Sequence, residues 1–350
     1  MPKIVAVGCA VPPYKLTQNQ IRQFAEIHFA DSALPLDRLI EVFENAEIES
    51  RYFSVPIDWY RKERSFVEKN HAYIDSSSSL GQECAIKCLE QSLVVPSEID
   101  YIIFVSTTGL ATPSMDARLI NLLGMRPDIR RTPIWGLGCA GGAAGLSHAY
   151  HYLLGHPRDR VLIVAVELCG LTFQQNDRSK SNFVATALFG EGAAAVLVVG
   201  DEVPRSGLEI IDTGSTFWPN SLDVMGWNLM NSGLQVVFAQ SIPHIVETKA
   251  LENFRGFLNR HELQLAQIEH FILHPGGTKV IEAYQRALGL ADGQLELCRK
   301  SLSEYGNMSA VSVLFVLEQH LQRFPLGSNA YGLISALGPG FCAENLLVRF

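Results

Sequence analysis

Charge is scarce in this 350-residue chain: Asp, Glu, Lys and Arg together make up 18% of it, and the formal net charge is -8. A deficit of basic residues gives no support for binding nucleic acid or an anionic membrane. Long apolar runs are missing too, and none approaches the roughly 20 residues that a spanning helix needs. Met1 to Cys9 is a short apolar run leading to Pro12-Pro13, without the charged n-region and longer h-region of a secretory signal, which predicts a cytoplasmic protein. Its seven cysteines, Cys9, Cys84, Cys88, Cys139, Cys169, Cys298 and Cys342, are odd in number and scattered, so they predict reduced thiols rather than a disulfide framework. Metal-ligand spacing is lacking as well. Cys84 and Cys88 lie one helical turn apart beside Leu80 and Leu89, the pattern of a packed face, and His148 with His151 has no evident third ligand. Neither a Gly-x-Gly-x-x-Gly after a strand nor a phosphate loop is present. The expectation is a protein with no metal, flavin, nicotinamide or pyridoxal cofactor.

What is there is an α/β pattern with 47% hydrophobic residues, enough for a large core. Strand-like runs at residues 101–105, 161–166, 193–199, 270–273 and 331–335 alternate with helical periodicities at 80–93, 144–154, 245–259 and 310–320. An interval of 33 residues separates Ser106 from Cys139 and also His274 from Asn307; 28 residues separate Cys139 from Glu167 and Asn307 from Ser335. A strand-turn-helix-strand unit thus recurs. The polar turn from Pro204 to Gly207 divides the chain into residues 1–205 and 206–350.

One thiol stands out. Cys139 sits in Trp135-Gly-Leu-Gly-Cys-Ala-Gly-Gly-Ala-Ala-Gly-Leu146, between a short strand (131–134) and a helix. Such a cysteine meets unpaired backbone N–H groups and the positive end of the helix dipole, which favour thiolate. The alternative is a small buried hydrophobe in a Gly/Ala-packed helix. Two later segments favour the first reading: an apolar run delivers His274 to the turn Pro275-Gly276-Gly277, and Asn307 opens a second apolar helix.

These segments, with Leu188-Phe189-Gly190-Glu191-Gly192-Ala193-Ala194-Ala195 and Gly338-Pro339-Gly340-Phe341, occur in the order and approximate spacing of the chalcone synthase-like type III polyketide synthases. The chain resembles that family along essentially its whole length. The resemblance implies a thiolase fold, with duplicated halves in a five-layered α-β-α-β-α sandwich, and a homodimer. It also implies an acyltransferase that condenses malonyl-CoA onto an acyl-CoA starter. Cys139 would carry the acyl group, His274 and Asn307 would bind the enolate oxygen left by decarboxylation, and His274 would hold Cys139 as a thiolate. Phe189 matches the gatekeeper between CoA tunnel and reaction cavity. Thr172 and Ser309 match small polar pocket positions, each of which could equally be a structural hydroxyl, and Gly338, Pro339 and Gly340 match a loop leaving room for cyclisation. Gly276, Gly277 and, more loosely, Arg38 match CoA-contacting positions.

Departures from the plant enzymes bear on substrate. Val236 stands where they have a second gatekeeper phenylalanine, Trp227 where they have a glycine beside the aromatic starter, and Thr112 near a methionine that crosses the dimer. Trp227 should obstruct a coumaroyl ring, and valine at 236 should open another route. The stretch Ile48 to Phe53, with Pro56 to Tyr60, is similar to bacterial members that extend long fatty acyl starters to alkylpyrones or alkylresorcinols. A ketoacyl-ACP synthase III-like priming enzyme and a catalytically silent acyl-binding dimer scaffold are the alternatives.

Overall fold

The computed structural model describes residues 1–350. Arg160–Leu168 and Glu191–Val199 are apolar on both faces, with every residue but Arg160 buried, the pattern of strands covered by helices on either side. They lie in a nine-stranded sheet whose order is Ile268–Leu273, Tyr331–Gly338, Cys342–Arg349, Leu208–Phe217, Lys3–Ala10, Glu191–Val199, Arg160–Leu168, Tyr101–Val105 and Arg130–Ile134. Strand senses repeat. Tyr101–Val105 runs parallel to Arg160–Leu168, which pairs antiparallel with Glu191–Val199, itself antiparallel to Lys3–Ala10. In the same sequence of senses, Ile268–Leu273 runs parallel to Tyr331–Gly338, followed by antiparallel Cys342–Arg349 and antiparallel Leu208–Phe217. The two sets join only where Lys3 faces Glu209 and Ile4 faces Leu208.

Two helices, Gly141–Gly155 and Ser312–Arg323, pack on each other and on strands from both sets, forming a central layer. Glycine is what allows their approach: a Cβ at Gly142 would lie 2.2 Å from the Ala310 carbonyl oxygen. Phe66–Ser92 covers one sheet face outside, while Ile242–Leu258 and Thr278–Leu288 pack together beyond the other set. The layers are therefore α-β-α-β-α, the thiolase-like arrangement.

The outer helix is longer than its periodicity predicts, because its first half, with Asn70, His71 and Ser76 to Ser79, carries little apolar stripe. A capping box of Ser65 and Glu68 starts it instead. A hairpin of Met225–Met230 and Gly233–Phe238, turning at Asn231-Ser232, also goes beyond the expected elements. All seven cysteines are free, Cys84 and Cys88 are buried, and no group of three or more His, Cys, Asp or Glu side chains could hold a metal. No helix is long and apolar enough to cross a membrane.

Candidate active site

Cys139 lies in a single 3-10 turn, Gly138–Ala140, that runs directly into the central helix. Gly138 adopts φ +47°, and a Cβ there would come within 2.7 Å of Pro339 Cδ, so the turn requires glycine twice over. Reciprocally, a Cβ on Gly338 would meet the Leu137 carbonyl at 2.4 Å. The space left by Gly338 is thus filled by the cysteine turn, and packing explains this glycine where the sequence suggested room for product.

Burial pushes the Cys139 thiol up to about 12, despite an opposing hydrogen bond from Ser309. Burial, the largest influence on this thiol, works against the thiolate, and the Ser309 hydrogen bond works for it. The Ser309 hydroxyl also reaches Glu167. Glu167 is fully buried and accepts hydrogen bonds from the Thr107 backbone N–H (3.0 Å), the Thr107 hydroxyl (2.7 Å) and the Thr108 hydroxyl (2.9 Å). Burial raises its carboxyl and these donors oppose the rise. In the sequence Glu167 and Thr107 carried no motif, since they meet only across paired strands.

His274 leaves the end of Ile268–Leu273, held by its N–H to the Ser335 carbonyl at 2.8 Å. Its ring is buried, neither nitrogen has a hydrogen-bond partner, and burial pulls it down to about 4. A Cys139–His274 hydrogen bond is therefore absent, and burial disfavours the charged form of both groups. The Asn307 amide is fixed at both ends: its Oδ1 accepts from the Ser309 N–H at 2.8 Å, and its Nδ2 donates to the Gly276 carbonyl at 3.0 Å. One N–H of that amide remains free. His274, Gly276 and Asn307 line one cavity with Met225, Phe238, Ile242, Val280, Tyr284 and Leu337. Cys139 is tied to this group through Ser309.

Phe189 follows the helix Lys180–Leu188, and its ring lies 6.2 Å from Trp227 and 6.5 Å from Phe238. Val236 is the cross-strand partner of Trp227. Trp227, Val236 and Phe189 thus form one patch. Phe189, Val236 and Thr172 also line an apolar cavity that extends to Leu16, Ile21, Phe24, Phe53 and Phe173. Trp227 is not among its lining residues, and the Thr172 hydroxyl is committed to the Cys169 carbonyl at 2.7 Å. Below Phe189, fully buried Arg51 donates to the carbonyls of Thr186 (2.7 Å) and Phe189 (2.9 Å) and to Gln18 Oε1 (2.6 Å). Burial lowers it to about 9.

A larger cavity of about 350 Å³ lies outside, lined by Gly276, Gly277, Leu39, Val42, Lys180, Lys279 and Phe238 among others. Arg38, on the short helix Leu36–Leu39, is exposed and is not part of its wall. Thr112 is exposed as well.

A buried thiol, an unpartnered imidazole and an oriented amide, set between an outer cavity and an apolar one, define a thiolase-type condensing centre. The profile of the chalcone and stilbene synthases, N-terminal domain, matches residues 2–202 and that of the C-terminal domain residues 209–350; the chain belongs to this family. It is a type III polyketide synthase, an acyltransferase of the kind that condenses malonyl-CoA. Family members act on CoA substrates without a cofactor. The chain is 41% identical to a putative chalcone synthase of Bacillus subtilis (strain 168), over 98% of this chain and 97% of that protein. It is 38% identical to a 1,3,6,8-tetrahydroxynaphthalene synthase of Streptomyces peucetius subsp. caesius, over 99% and 93%. The crystal structure of the 1,3,6,8-tetrahydroxynaphthalene synthase of Streptomyces coelicolor A3(2) superimposes with a TM-score of 0.94 at 26% identity, covering 99% of either chain.

Proposed function

We propose that this enzyme loads a long fatty acyl group from CoA onto Cys139, extends it with malonyl-CoA and closes the product as an alkylpyrone or alkylresorcinol. Loading breaks the acyl–CoA thioester and forms a Cys139 thioester, releasing CoA. Because burial disfavours the thiolate, a base is needed to take the thiol proton, and His274, with both ring nitrogens unpartnered, is available. Malonyl-CoA then loses carbon dioxide, and the electron pair of the broken bond becomes an enolate. The free N–H of Asn307 and an N–H of His274 are the donors for its oxygen. The enolate carbon attacks the Cys139 thioester and regenerates the thiolate as the chain transfers to CoA.

The apolar cavity carries the choice of starter. It adjoins Phe189 and Val236 and is walled by aliphatic and aromatic side chains, and each buried methylene contributes about 0.8 kcal/mol. In this reading Gly276 and Gly277 let the CoA arm pass and Arg38 lies near its phosphates. The enzyme acts in the cytoplasm as a homodimer, with residues 1–205 supplying the thiol and 206–350 supplying His274 and Asn307.

A second reading follows from the relatives named as tetrahydroxynaphthalene synthases: a tetrahydroxynaphthalene product, which carries no alkyl chain from a fatty starter. Incubation of purified enzyme with labelled malonyl-CoA and a panel of acetyl-, coumaroyl-, octanoyl- and palmitoyl-CoA, with products identified by mass, separates the two. Higher kcat/KM for the fatty starters supports the first; one product whatever starter is offered supports the second. A silent scaffold would release no carbon dioxide from malonyl-CoA.

A further inference from the structure

Val236 occupies the position at which the sequence comparison with plant enzymes expects an aromatic gate, and its smaller side chain was expected to leave a route open. A larger aromatic, Phe238, stands two residues further along the strand. Along a strand, residues two apart share a face, so Phe238 projects from the same side of Gly233–Phe238 as Val236. The cross-strand partners on that face are Trp227 for Val236 and Met225 for Phe238. Phe189 packs over this face, against Trp227 on one side and edge-on against Phe238 on the other. The two positions face different spaces. Val236 lines the apolar cavity, whereas Phe238 lines both the outer cavity, with Gly276, Gly277 and Lys279, and the cavity of His274 and Asn307.

We propose that Phe238 is a gate of this enzyme: its ring, paired with Phe189, separates the outer cavity from the His274–Asn307 cavity and keeps water from the enolate, while Val236 leaves room for acyl chain. The proposal rests on the reading of the site as a malonyl-CoA condensing centre. An enolate formed there has two fates. Its carbon attacks the Cys139 thioester, or it takes a proton from water and leaves as acetyl-CoA. A ring shutting out bulk water favours the first, and an aromatic pair holds that ring without hydrogen bonds that a substrate would have to break.

Wild-type enzyme, Phe238→Ala and Phe238→Tyr are compared in two ways. One is the ratio of acetyl-CoA to polyketide formed from malonyl-CoA. The other is the rate at which iodoacetamide alkylates Cys139 at fixed pH, read by peptide mass. The alanine variant is expected to raise the ratio on the order of tenfold and to speed alkylation, whereas the tyrosine variant, which keeps the ring, retains wild-type values. A folded alanine variant with both readouts unchanged, or a tyrosine variant that behaves like alanine, would overturn the gate. Should Phe238→Ala not fold, Phe238→Leu is expected to shift both readouts in the same direction by less, and no shift in it counts against the gate equally. A wild-type enzyme releasing neither acetyl-CoA nor polyketide would instead sink the condensing reading, and the alkylation rates would still judge whether Phe238 bars the passage.

Discussion

Phe189 and Asn307 are joined by a parallel β-bridge: the Gly190 N–H donates to the Asn307 carbonyl at 2.9 Å, and the Asn307 N–H donates to the Leu188 carbonyl at 2.9 Å. The Phe189 ring and the Asn307 amide therefore share one backbone frame, although 118 positions separate them in the numbering. Two glycines permit it. A Cβ on Gly190 would lie 2.2 Å from the Tyr305 carbonyl, and Gly306, at φ +69°, would place one 2.6 Å from Arg51 Cδ.

Arg51 braces this frame from below, so Arg51→Gln should loosen it. Two carbonyls, on Thr186 and Phe189, would lose a charged donor, at a cost of roughly 1.5–3 kcal/mol each. Calorimetry should show a lower Tm. In protein folded at low temperature, malonyl decarboxylation should also fall, because Asn307 is displaced; full activity with a lowered Tm would make Arg51 structural only.

Cys139→Ala should abolish acyl loading, read as the missing mass increment on incubation with acyl-CoA, while the fold persists because only a sulfur is lost. In wild-type enzyme burial raises the thiol to about 12, so below that value its ionised fraction grows about tenfold with each unit that pH rises. Alkylation of Cys139 should accordingly keep rising from pH 7 to pH 10. Ser309→Ala removes the hydrogen bond that opposes the shift and should slow alkylation further at every pH. A plateau near neutrality would show that the resting enzyme holds a thiolate.

Asn307→Ala and His274→Ala should separate the two chemical steps. In the proposed mechanism Asn307 serves the enolate alone, so its loss should cut decarboxylation on the order of 100-fold and leave starter loading close to wild type. Loss of His274 should slow both, since the same imidazole accepts the thiol proton. Stopped-flow loading and carbon dioxide release, measured on each variant, decide this; equal loading rates in both variants would remove His274 from the first step.

His274 also links stability to pH. Its folded value, about 4, lies below the ordinary 6.5 because burial disfavours the charged ring. Below pH 6.5 the unfolded chain binds a proton that the folded chain refuses, so the stability present above pH 6.5 is lost as pH falls towards 4. The slope approaches about 1.4 kcal/mol per pH unit for one such group. Urea unfolding at pH 7 and pH 5 should therefore show a smaller loss for His274→Gln than for wild type. Buried His320, also near 4, keeps part of the dependence in both proteins.

Local chemistry and periodicity are written in the chain itself. Glycine-bounded Cys139, the turn after His274, the amide of Asn307 and the repeated strand-turn-helix spacing identify the α/β class and the duplicated plan from neighbours within a few residues. Tertiary structure alone decided how these groups behave. How readily Cys139 ionises depends on burial contributed by both halves, which works against the thiolate. Glu167, Arg51 and Phe238 have no motif because each acts through partners far along the chain: Thr107, the Phe189 carbonyl and the Phe189 ring. That Val236 and Phe238 line different cavities is likewise invisible in one strand, for it is set once the hairpin is laid against Phe189. Sequence determines which groups are present and their local periodicity; the dielectric around them and the partners they meet arise only when distant segments exclude water together.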